Sequence, residues 1–289
     1  MKVSGFTFLR NGTILGYPYI ESLKSLLAVC DEVVVALGNS DDDTYEKVKA
    51  IGDPKLKIIL TTWNESMQDR GYTYAQQKMI AQFNCTGDWA FYLEGDEVIH
   101  EKDYGLIRSV MEKYKDDKEV EALVFDYYHF YGSPQTYAYS PRWYRKAPRI
   151  IRNSVRSWAP DGLFWLIMNE NRRGRYPNAA AVGCHLYHYG HIRSVAKMNE
   201  KQKRVERYWG KTPKEFLGYG DIDPDTIKQF LGSHPLIANE WLENEAEQLF
   251  IPNSDYKLSK RDKKHRLMMK IEKLFGGIDL AKKHFKLIR

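Results

Sequence analysis

Residues 92–98 read Tyr-Leu-Glu-Gly-Asp-Glu-Val, an apolar run that leads directly into carboxylates at positions 94 and 96. Side chains two positions apart on an extended segment point to the same side, so Glu94 and Asp96 should converge at the end of a strand. Converging carboxylates repel each other unless a cation lies between them. Proteins hold Mg²⁺ and Mn²⁺ with carboxylates and the phosphates of a substrate. We therefore predict a divalent-metal site here; the plainer alternative is a solvated acidic turn.

Strands and helices alternate around this stretch. The apolar spacing predicts strands at 3–9, 32–37, 57–61, 89–93 and 122–128, and helices at 18–27, 44–50, 73–83 and 103–114. The β-branched run at 32–37 is typical of a strand that is buried on both faces. This alternation implies right-handed βαβ units and hence an α/β fold with a mainly parallel central sheet.

Three of the predicted strands end in polar loops. Asn11 follows the first strand, Asp41 and Asp42 follow the second, and the pair Glu94 and Asp96 follows the fourth. Ligands of open parallel sheets bind outside the carboxyl ends of the strands, so these side chains should gather at one edge. Asp41 and Asp42 also suit the start of a helix, where a carboxylate caps free N–H groups and favours the helix dipole. Capping and ligand binding can coexist there.

The composition is that of an ordinary globular protein. Hydrophobic residues make up 43% and charged residues 28% of the 289 positions, enough for a sizeable core without cross-links. The 3 cysteines are odd in number and form no Cys-x-x-Cys pair, which favours buried thiols in a reducing compartment. No apolar run is long enough to span a bilayer, and residues 1–6 lack the features of a signal peptide, so we expect a cytoplasmic protein.

The pattern changes toward the C-terminus. Residues 132–182 are rich in arginine, aromatic residues and proline, which indicates loops with short strands. From residue 194 onward the spacing predicts helices at 194–209, 212–217, 224–231, 236–249 and 259–275. We therefore expect a main α/β domain of residues 1–195 and a C-terminal helical extension of residues 196–289.

Most of the positive charge lies in and beyond the last predicted helix. The net charge is +6, but residues 257–289 alone contain 12 Lys or Arg and 3 Asp or Glu, so the rest of the chain is slightly acidic. A core without positive charge argues against nucleic acid as a partner. The tail combines these basic residues with an apolar stripe, which indicates a membrane-surface helix or, alternatively, a helix packed on the core. The stripe consists of Leu267, Met268, Ile271, Leu274 and Phe275.

Four ordered motifs resemble those of family 2-type glycosyltransferases, which have the GT-A fold. The motifs are a polar loop at 8–12, a Ser-x-Asp-x-Thr loop at 40–44, a helix start at 71–77, and Gly87-Asp88-Trp89 followed by the acidic signature at 93–97. The resemblance covers residues 3–130 well and residues 140–195 loosely. The chain departs from the family at Leu37-Gly38, where an Asp is usual, and at Glu94, where the first metal carboxylate is usually Asp.

This resemblance implies a metal-assisted transferase of the hexosyltransferase class. Such an enzyme would move a sugar, with inversion, from a nucleotide-diphosphate sugar to an acceptor hydroxyl, with Mn²⁺ or Mg²⁺ as cofactor. The acceptor would be a glycan or a lipid-linked molecule, as in bacterial envelope glycan assembly. The basic tail would then hold the protein peripherally at the inner face of the membrane.

The resemblance also assigns donor and metal residues. Asn11 would line the nucleoside pocket, and Asp42, with Asp41 as a rival, would contact the nucleoside. Asp96 would bind the metal, and Glu94 would contact the metal, the ribose or both. The third metal ligand would come from the His-Tyr-Gly-x-x-Arg stretch that starts at His188, although a hydrogen-bonded structural histidine is the plainer interpretation.

Inversion needs a base for the acceptor hydroxyl and cations for the departing diphosphate. Asp161, in the aromatic setting of 158–162, is the preferred base, and Asp126 at a strand end is its rival. Arg149 and Arg152 are the preferred diphosphate contacts, because a guanidinium matches phosphate oxygens. Ordinary loop aspartates and surface arginines are the plainer interpretation of these four residues.

Two other functions are alternatives to this one. A sugar-phosphate nucleotidyltransferase is less consistent, because residues 10–13 are poor in glycine for the loop that this class has after its first strand. A non-catalytic module that binds a nucleotide sugar or a glycan stays open, because the sequence does not identify the base.

Overall fold

Strands and helices follow one another through most of the chain. The structure, a computed structural model, describes residues 1–171 and 173–289. Its α-helices are α1 (Tyr19–Val29), α2 (Thr44–Lys49), α3 (Tyr72–Phe83), α4 (Tyr104–Lys113), α5 (Val195–Val205), α6 (Asn239–Glu245) and α7 (Lys260–Leu274). Its strands are β1 (Val3–Leu9), β2 (Glu32–Gly38), β3 (Leu56–Thr61), β4 (Trp89–Tyr92), β5 (Glu97–Ile99), β6 (Ala122–Tyr131), β7 (Ser133–Ala138), β8 (Lys146–Arg152), β9 (Ser157–Trp158), β10 (Leu166–Met168), β11 (Gly174–Arg175), β12 (Asn178–His191), β13 (Ile227–Gln229) and β14 (Lys286–Leu287).

A mixed central sheet organises the fold. Its main path runs in the order β13-β7-β6-β8-β4-β1-β2-β3, and the part formed by β4, β1, β2 and β3 is parallel. Strand β12 lies parallel to β6 and antiparallel to β5. The predicted α/β fold with a mainly parallel central sheet is confirmed, and β1, β2 and β4 end at the same edge.

Strand β2 shows why both faces of the sheet are covered. Val33 packs in a cluster that includes Leu23 of α1, whereas its neighbour Val34 packs in a second cluster that includes Ala81 of α3. Successive side chains of a strand point to opposite faces of the sheet. A continuous apolar run is therefore buried against the layers on both faces. Each fully buried Val or Leu contributes about 1.5–3 kcal/mol relative to an exposed one.

The C-terminal extension contains fewer helices than predicted. Helices α5, α6 and α7 lie within predicted helical segments, but residues 212–217 form none. Residues 224–231 contain a 3₁₀ turn and β13, because the Asp223 carboxylate accepts from the Asp225 N–H and Pro224 opens a short turn. Strands β13 and β14 pair with β7 and β12 of the main sheet. The extension is therefore joined to the core by strands as well as by helices.

Helix α7 docks on the core through polar contacts. Arg145 donates two hydrogen bonds, each 2.8 Å long, to the two carboxylate oxygens of Glu272. Arg266 donates to Asp223 in the same way, with its Nε 2.8 Å from Oδ2. These contacts cover the polar side of the helix, which also carries the buried Asp262.

The outward face of α7 is apolar and basic. Leu267 and Leu274, one above the other on this face, are 59% and 80% exposed, and Phe275 just beyond them is 67% exposed. Lys263 and Lys270 are exposed beside the leucines. A helix docked on a core usually buries its apolar stripe and exposes its polar side. Helix α7 does the reverse, with its polar side against the core and its leucines exposed.

Two predictions about the chain as a whole can be compared with the structure. Cys30, Cys85 and Cys184 are buried free thiols, as predicted. Within the described part of the chain, no helix combines the length and the apolar character that crossing a bilayer requires.

Candidate active site

The pairing of β5 with β12 brings the acidic stretch against the histidine segment. His188 lies opposite Glu97 in the antiparallel register, and the Tyr189 N–H donates to the Asp96 carbonyl oxygen (2.8 Å). A Cβ at position 190 would lie 2.5 Å from Nε2 of His188. The lack of a side chain at Gly190 therefore leaves room for the imidazole ring. Residues 94–97 and 188–191 thus form one surface, called the acidic floor below.

A cavity of about 440 Å³ opens above the acidic floor. Its polar lining includes Glu94, Asp96, His191 and Lys201. Most of the remaining lining is aromatic or aliphatic. A concave, mainly apolar pocket with a few converging polar groups is the usual form of a small-molecule site.

One side of the cavity is an aromatic wall formed by Trp63, Tyr74 and Trp209. The ring centroid of Tyr74 lies 5.3 Å from that of Trp63 and 6.0 Å from that of Trp209. The indole N–H of Trp63 is buried and donates to no acceptor within the described residues. The flat apolar surface of these rings suits a ring-shaped ligand, whereas the indole N–H itself is packed against Gly38 and away from the cavity lining.

Glu94, Asp96 and His188 each offer one ligand atom, and these atoms all lie within 4.8 Å of one another. Nε2 of His188 is 3.7 Å from Oδ1 of Asp96. Two ligands bound to one ion at about 2.1 Å are roughly 3–4 Å apart, so this spacing fits Mg²⁺ or Mn²⁺. Carboxylate oxygens and a neutral imidazole nitrogen are suitable ligands for Mn²⁺.

A buried arginine holds two carboxylates of the acidic floor. Arg149 is 1% exposed and donates to both oxygens of Glu97, from Nε at 2.9 Å and from Nη2 at 2.6 Å. Nη2 also donates to Oε1 of Glu94 (2.7 Å), and the Tyr127 hydroxyl donates to Oε1 of Glu97 (2.9 Å). Glu97 is therefore satisfied, whereas Oε2 of Glu94 accepts no hydrogen bond within the described residues.

Asp96 has two cationic neighbours on one oxygen. Nη2 of Arg193 donates to Oδ2 at 2.6 Å, and Nζ of Lys201 lies 3.8 Å from the same atom. The Arg193 side chain is completely buried, with its guanidinium 4.2 Å from the ring centroid of Tyr17. These cations compete with a metal ion for negative charge, but they leave Oδ1 facing His188.

Burial and charge shift the acidities of these groups in opposite directions. Burial raises the pKa of Glu94 to about 7. Burial also acts to raise the pKa of Asp96, but His188, Lys201 and Arg193 outweigh it and hold that pKa far below its usual range. Burial lowers the pKa of Lys201 to about 8. Near neutral pH, Asp96 is ionised and Glu94 is poised to gain or lose a proton.

The predicted donor residues after β1 and β2 lie side by side. Oδ1 of Asn11 accepts from the Asp41 N–H (2.7 Å), and Asp41 pairs with Arg204 of α5 (2.6 Å). The Asp42 carboxylate accepts from the Ile14 N–H (2.8 Å) and from the first N–H of α2 (3.0 Å). Asp42 thus joins the two loops, whereas the N-cap residue of α2 is Asp43, whose side chain makes no capping hydrogen bond.

Asp161, the preferred base, directly precedes the cavity lining in sequence but is not itself among the lining residues. The next two residues, Gly162 and Leu163, line the cavity, and the Leu163 N–H donates to Oδ1 of Asp161 (2.9 Å). Lys78, completely buried between two aromatic rings, donates to the Gly162 carbonyl oxygen (3.0 Å). Lys78 therefore fixes the loop that carries Asp161.

Arg152 lies far from the cavity. It is 4% exposed, and its guanidinium donates to backbone carbonyls between residues 114 and 120. In the sheet it pairs with Trp89 at the start of β4, the opposite end from the acidic floor. The prediction that Arg152 contacts a diphosphate is therefore wrong, because its donors hold a loop at the other edge.

Asp126 and Arg149 also differ from their predicted positions. Asp126 pairs with Lys146 (2.6 Å), and because side chains alternate along β6 it faces away from the side on which Tyr127 meets Glu97. It is therefore not available as a base in the cavity. Arg149 lies beneath the acidic floor and contacts carboxylates, so the prediction of a diphosphate contact is corrected to one of holding Glu94 and Glu97.

The sequence interpretation missed several residues of the site. Lys201 and Trp209 come from the extension, and their approach depends on how α5 folds back over the sheet edge. Arg193 ends the His-Tyr-Gly-x-x-Arg stretch, but no sequence pattern there indicates its contact with Asp96. Lys78, in the middle of α3, could not be distinguished from a surface lysine by spacing alone.

Comparisons with known proteins give a distant likeness to glycosyltransferases. No family model matches the chain. Uncharacterized glycosyltransferases of Rickettsia typhi and of Rickettsia prowazekii are each 23% identical to it over 167 residues, which is 56% of this chain and 52% of theirs. The chain thus spans about half the length of these curated relatives. The predicted likeness to glycosyltransferases with a GT-A-like α/β fold is confirmed at this level.

Solved structures show partial likenesses. S. aureus TarS is 18% identical, with 70% of this chain and 38% of that chain covered and a TM-score of 0.40. A mannosyltransferase from Pyrobaculum calidifontis, in complex with GDP-mannose and Mn²⁺, is 22% identical, with 42% and 34% covered and a TM-score of 0.33. Glucosyl-3-phosphoglycerate synthase from Mycobacterium tuberculosis, in complex with Mn²⁺ and UDP, is 15% identical, with 44% of each chain covered and a TM-score of 0.30.

Proposed function

We propose that this protein is an inverting glycosyltransferase that transfers a hexose from a nucleoside-diphosphate sugar to an acceptor hydroxyl with the help of Mn²⁺ or Mg²⁺. The observation that carries the proposal is the convergence of Glu94, Asp96 and His188 next to an aromatic cavity that the two carboxylates line. The sequence likeness to glycosyltransferases supports the reaction class. When bound by these three residues, the ion would supply positive charge to the diphosphate leaving group.

In this proposal, Lys201 serves as the protein's own cation beside the leaving group. Its ammonium group lines the cavity next to Asp96 and is charged below about pH 8, because burial lowers its pKa to about 8. A fixed positive charge near the diphosphate stabilises the negative charge that develops as the glycosidic bond breaks. Lys201 thereby takes the part that the sequence interpretation gave to arginines.

The donor would lie along the aromatic wall. Its apolar rings would cover one face of the sugar or of the nucleobase. Asn11 and Asp41 would border the nucleoside from the loops after β1 and β2. Arg10, next to Asn11, lines the same cavity and is paired with Glu65.

We propose Asp161 as the base. Asp161 belongs to the loop whose next two residues line the cavity, and its carboxylate would accept the proton of the acceptor hydroxyl while that oxygen attacks the sugar from the side opposite the diphosphate. In-line attack of this kind inverts the anomeric centre. The Lys78 contact to the next residue keeps this loop in place for this step.

A thermal-shift screen tests donor and metal binding together. UDP, GDP, CMP and dTDP sugars are each added with and without Mn²⁺; a ligand at 100 times its dissociation constant adds about 2.7 kcal/mol of stability. We expect one donor class to stabilise the protein more when Mn²⁺ is present. The Asp96→Ala variant should lose the metal-dependent part, whereas Glu112→Gln, a matched change on the exposed side of α4, should keep it. No response to any donor would contradict the proposal.

Turnover distinguishes a transferase from a non-catalytic binding module. A transferase should release nucleoside diphosphate slowly from its donor even without acceptor, and Mn²⁺ should accelerate the release. With acceptor, Asp161→Asn should lower kcat by at least about a hundredfold, the usual contribution of a general base, and leave donor binding unchanged. Asp126→Asn is the matched control and should keep the wild-type rate. Donor binding without any release would favour the binding module.

We further propose that a lipid-linked or glycan acceptor is reached at an anionic membrane surface through α7. The outward leucines and their flanking lysines match an interface in which apolar side chains enter the acyl boundary and ammonium groups meet lipid phosphates. The surplus of 12 basic over 3 acidic residues in 257–289 gives the complementary charge. Each basic residue near such a surface contributes about 1 kcal/mol.

Vesicle sedimentation tests this contact. The wild type should bind vesicles of phosphatidylglycerol and phosphatidylcholine, bind less as salt rises, and ignore vesicles of phosphatidylcholine alone. A variant with Leu267→Gln and Leu274→Gln should lose binding. A control with Leu231→Gln and Leu249→Gln changes equally exposed leucines outside α7 and should bind normally. Equal binding by both variants would refute the contact.

A further inference from the structure

A chain of hydrogen bonds runs from the acidic floor to the backbone. Nδ1 of His188 lies 2.9 Å from Nδ1 of His129, and Nε2 of His129 lies 2.6 Å from the carbonyl oxygen of Tyr144. Both imidazoles are buried, and the His129 ring is held between the ring of Tyr127, with centroids 5.0 Å apart, and the edge of Tyr144. The two rings therefore have little freedom to take other hydrogen bonds.

The end of this chain decides where every proton lies. A carbonyl oxygen can only accept, so Nε2 of His129 must carry a hydrogen and donate to Tyr144. A neutral imidazole carries one hydrogen, so Nδ1 of His129 is an acceptor. Nδ1 of His188 must then be the donor, because two acceptors cannot share a contact of 2.9 Å. Nε2 of His188 is left with a bare lone pair.

That lone pair faces Oδ1 of Asp96, another acceptor, at 3.7 Å. Two acceptors turned toward each other in a buried site require a cation or a proton between them. A proton on His188 would form an imidazolium beside the cations Arg193 and Lys201, which lie on the same aspartate. The gap between Nε2 of His188 and Oδ1 of Asp96 is therefore where a cation would be held.

We infer that His129 is a positioning residue that fixes the tautomer and ring orientation of His188, so that Nε2 is the atom presented to the metal. This inference rests on the metal site of the proposed function. His129 itself touches neither metal nor donor; it acts through His188. Removing a residue of this kind from behind a ligand typically weakens metal binding 10- to 100-fold.

The tautomer can be observed without any metal. In metal-free protein labelled with ¹⁵N in its histidine rings, two-dimensional NMR should show His188 protonated on Nδ1 and bare on Nε2, with the signal assigned by its absence in His188→Gln. A proton on Nε2 of His188 would overturn the inference, whatever the metal does. This measurement uses the wild-type fold and does not depend on any variant at position 129.

Mn²⁺ titration calorimetry on two variants tests the consequence. His129→Phe keeps the ring but removes the acceptor, and should weaken Mn²⁺ binding 10- to 100-fold. His129→Gln offers an amide oxygen to His188 and an amide N–H to Tyr144, and should keep most of the wild-type affinity. If the wild type binds Mn²⁺ and His129→Phe binds equally well, the inference fails. If the wild type itself binds no Mn²⁺, the proposed metal site fails instead.

Discussion

Replacement of Arg149 by methionine is the sharpest test of how the acidic floor is held together. The substitution removes three hydrogen bonds of 2.6–2.9 Å and leaves the fully buried Glu97 without its counter-charge. Breaking a buried ion pair by removing one partner costs about 3–5 kcal/mol. Since a domain is typically stable by about 5–15 kcal/mol, Arg149→Met should consume a large part of the total.

Removing the unpaired charge of Glu97 as well should restore part of the lost stability. In Arg149→Met combined with Glu97→Gln, the amide oxygen can still accept from the Tyr127 hydroxyl, and no buried carboxylate is left unpaired at position 97. The double variant should therefore be more stable than the sum of the single changes implies, with a coupling energy of about 0.5–3 kcal/mol. Arg149→Lys should be intermediate, because it keeps the charge but loses the two-pronged contact.

Urea unfolding monitored by tryptophan fluorescence, with EDTA present and at constant pH, measures these free energies. Arg156→Met, a change at an exposed arginine of a nearby loop, is the matched control and should fall within about 0.5 kcal/mol of the wild type. The reasoning is refuted if Arg149→Met loses less than about 1 kcal/mol, or if the double variant is simply additive.

Three further outcomes are expected. Donor affinity should fall as the pH rises through about 8, because the lowered pKa of Lys201 means that its charge is present below that pH and lost above it. In Lys201→Arg, the donor affinity measured by calorimetry should stay constant up to pH 9.5. A fall in the variant like that of the wild type would contradict the role given to Lys201. Arg152→Met should lower stability by about 1.5–3 kcal/mol through its lost carbonyl contacts but leave the donor Kd unchanged; a weakened Kd would return Arg152 to the site. Gly190→Ala should weaken Mn²⁺ binding in calorimetry, because the new Cβ would lie 2.5 Å from Nε2 of His188; unaltered affinity would mean that the ring can move without loss.

The parallel half of the sheet was predictable because its signals are local. The run at 32–37 contains three consecutive β-branched valines, and Val33 and Val34 are indeed buried against opposite layers. Turn residues and an acidic cluster mark the ends of β1, β2 and β4. Strand-end residues of a parallel sheet share one edge by geometry alone, so Glu94 and Asp96 could be assigned to a cleft without knowledge of the rest of the chain.

The partners of those carboxylates were not predictable in the same way. Arg149, Arg152 and Asp126 all lie in strands β6 and β8, and their burial and direction depend on antiparallel pairings that no local pattern specifies. A shift of one residue in the strand register moves a side chain from the face with the cavity to the opposite face of the sheet. Lys201 reaches the cavity only because α5 returns over the sheet edge after β12. The acidic residues Glu94 and Asp96 were thus predictable, whereas the cationic side chains that neutralise them were not.

Strand β12 links two distant parts of the molecule. At one end it pairs with β14 through Asn178 and Lys286, and at the other it carries His188 and His191 into the acidic floor. Contacts between segments so far apart in sequence form slowly, because a large loop must close before any of them is made. We therefore expect that, during refolding, the nucleus of α1, β1 and β2 assembles early, whereas the ligand cavity becomes competent only after β12 has paired with β5.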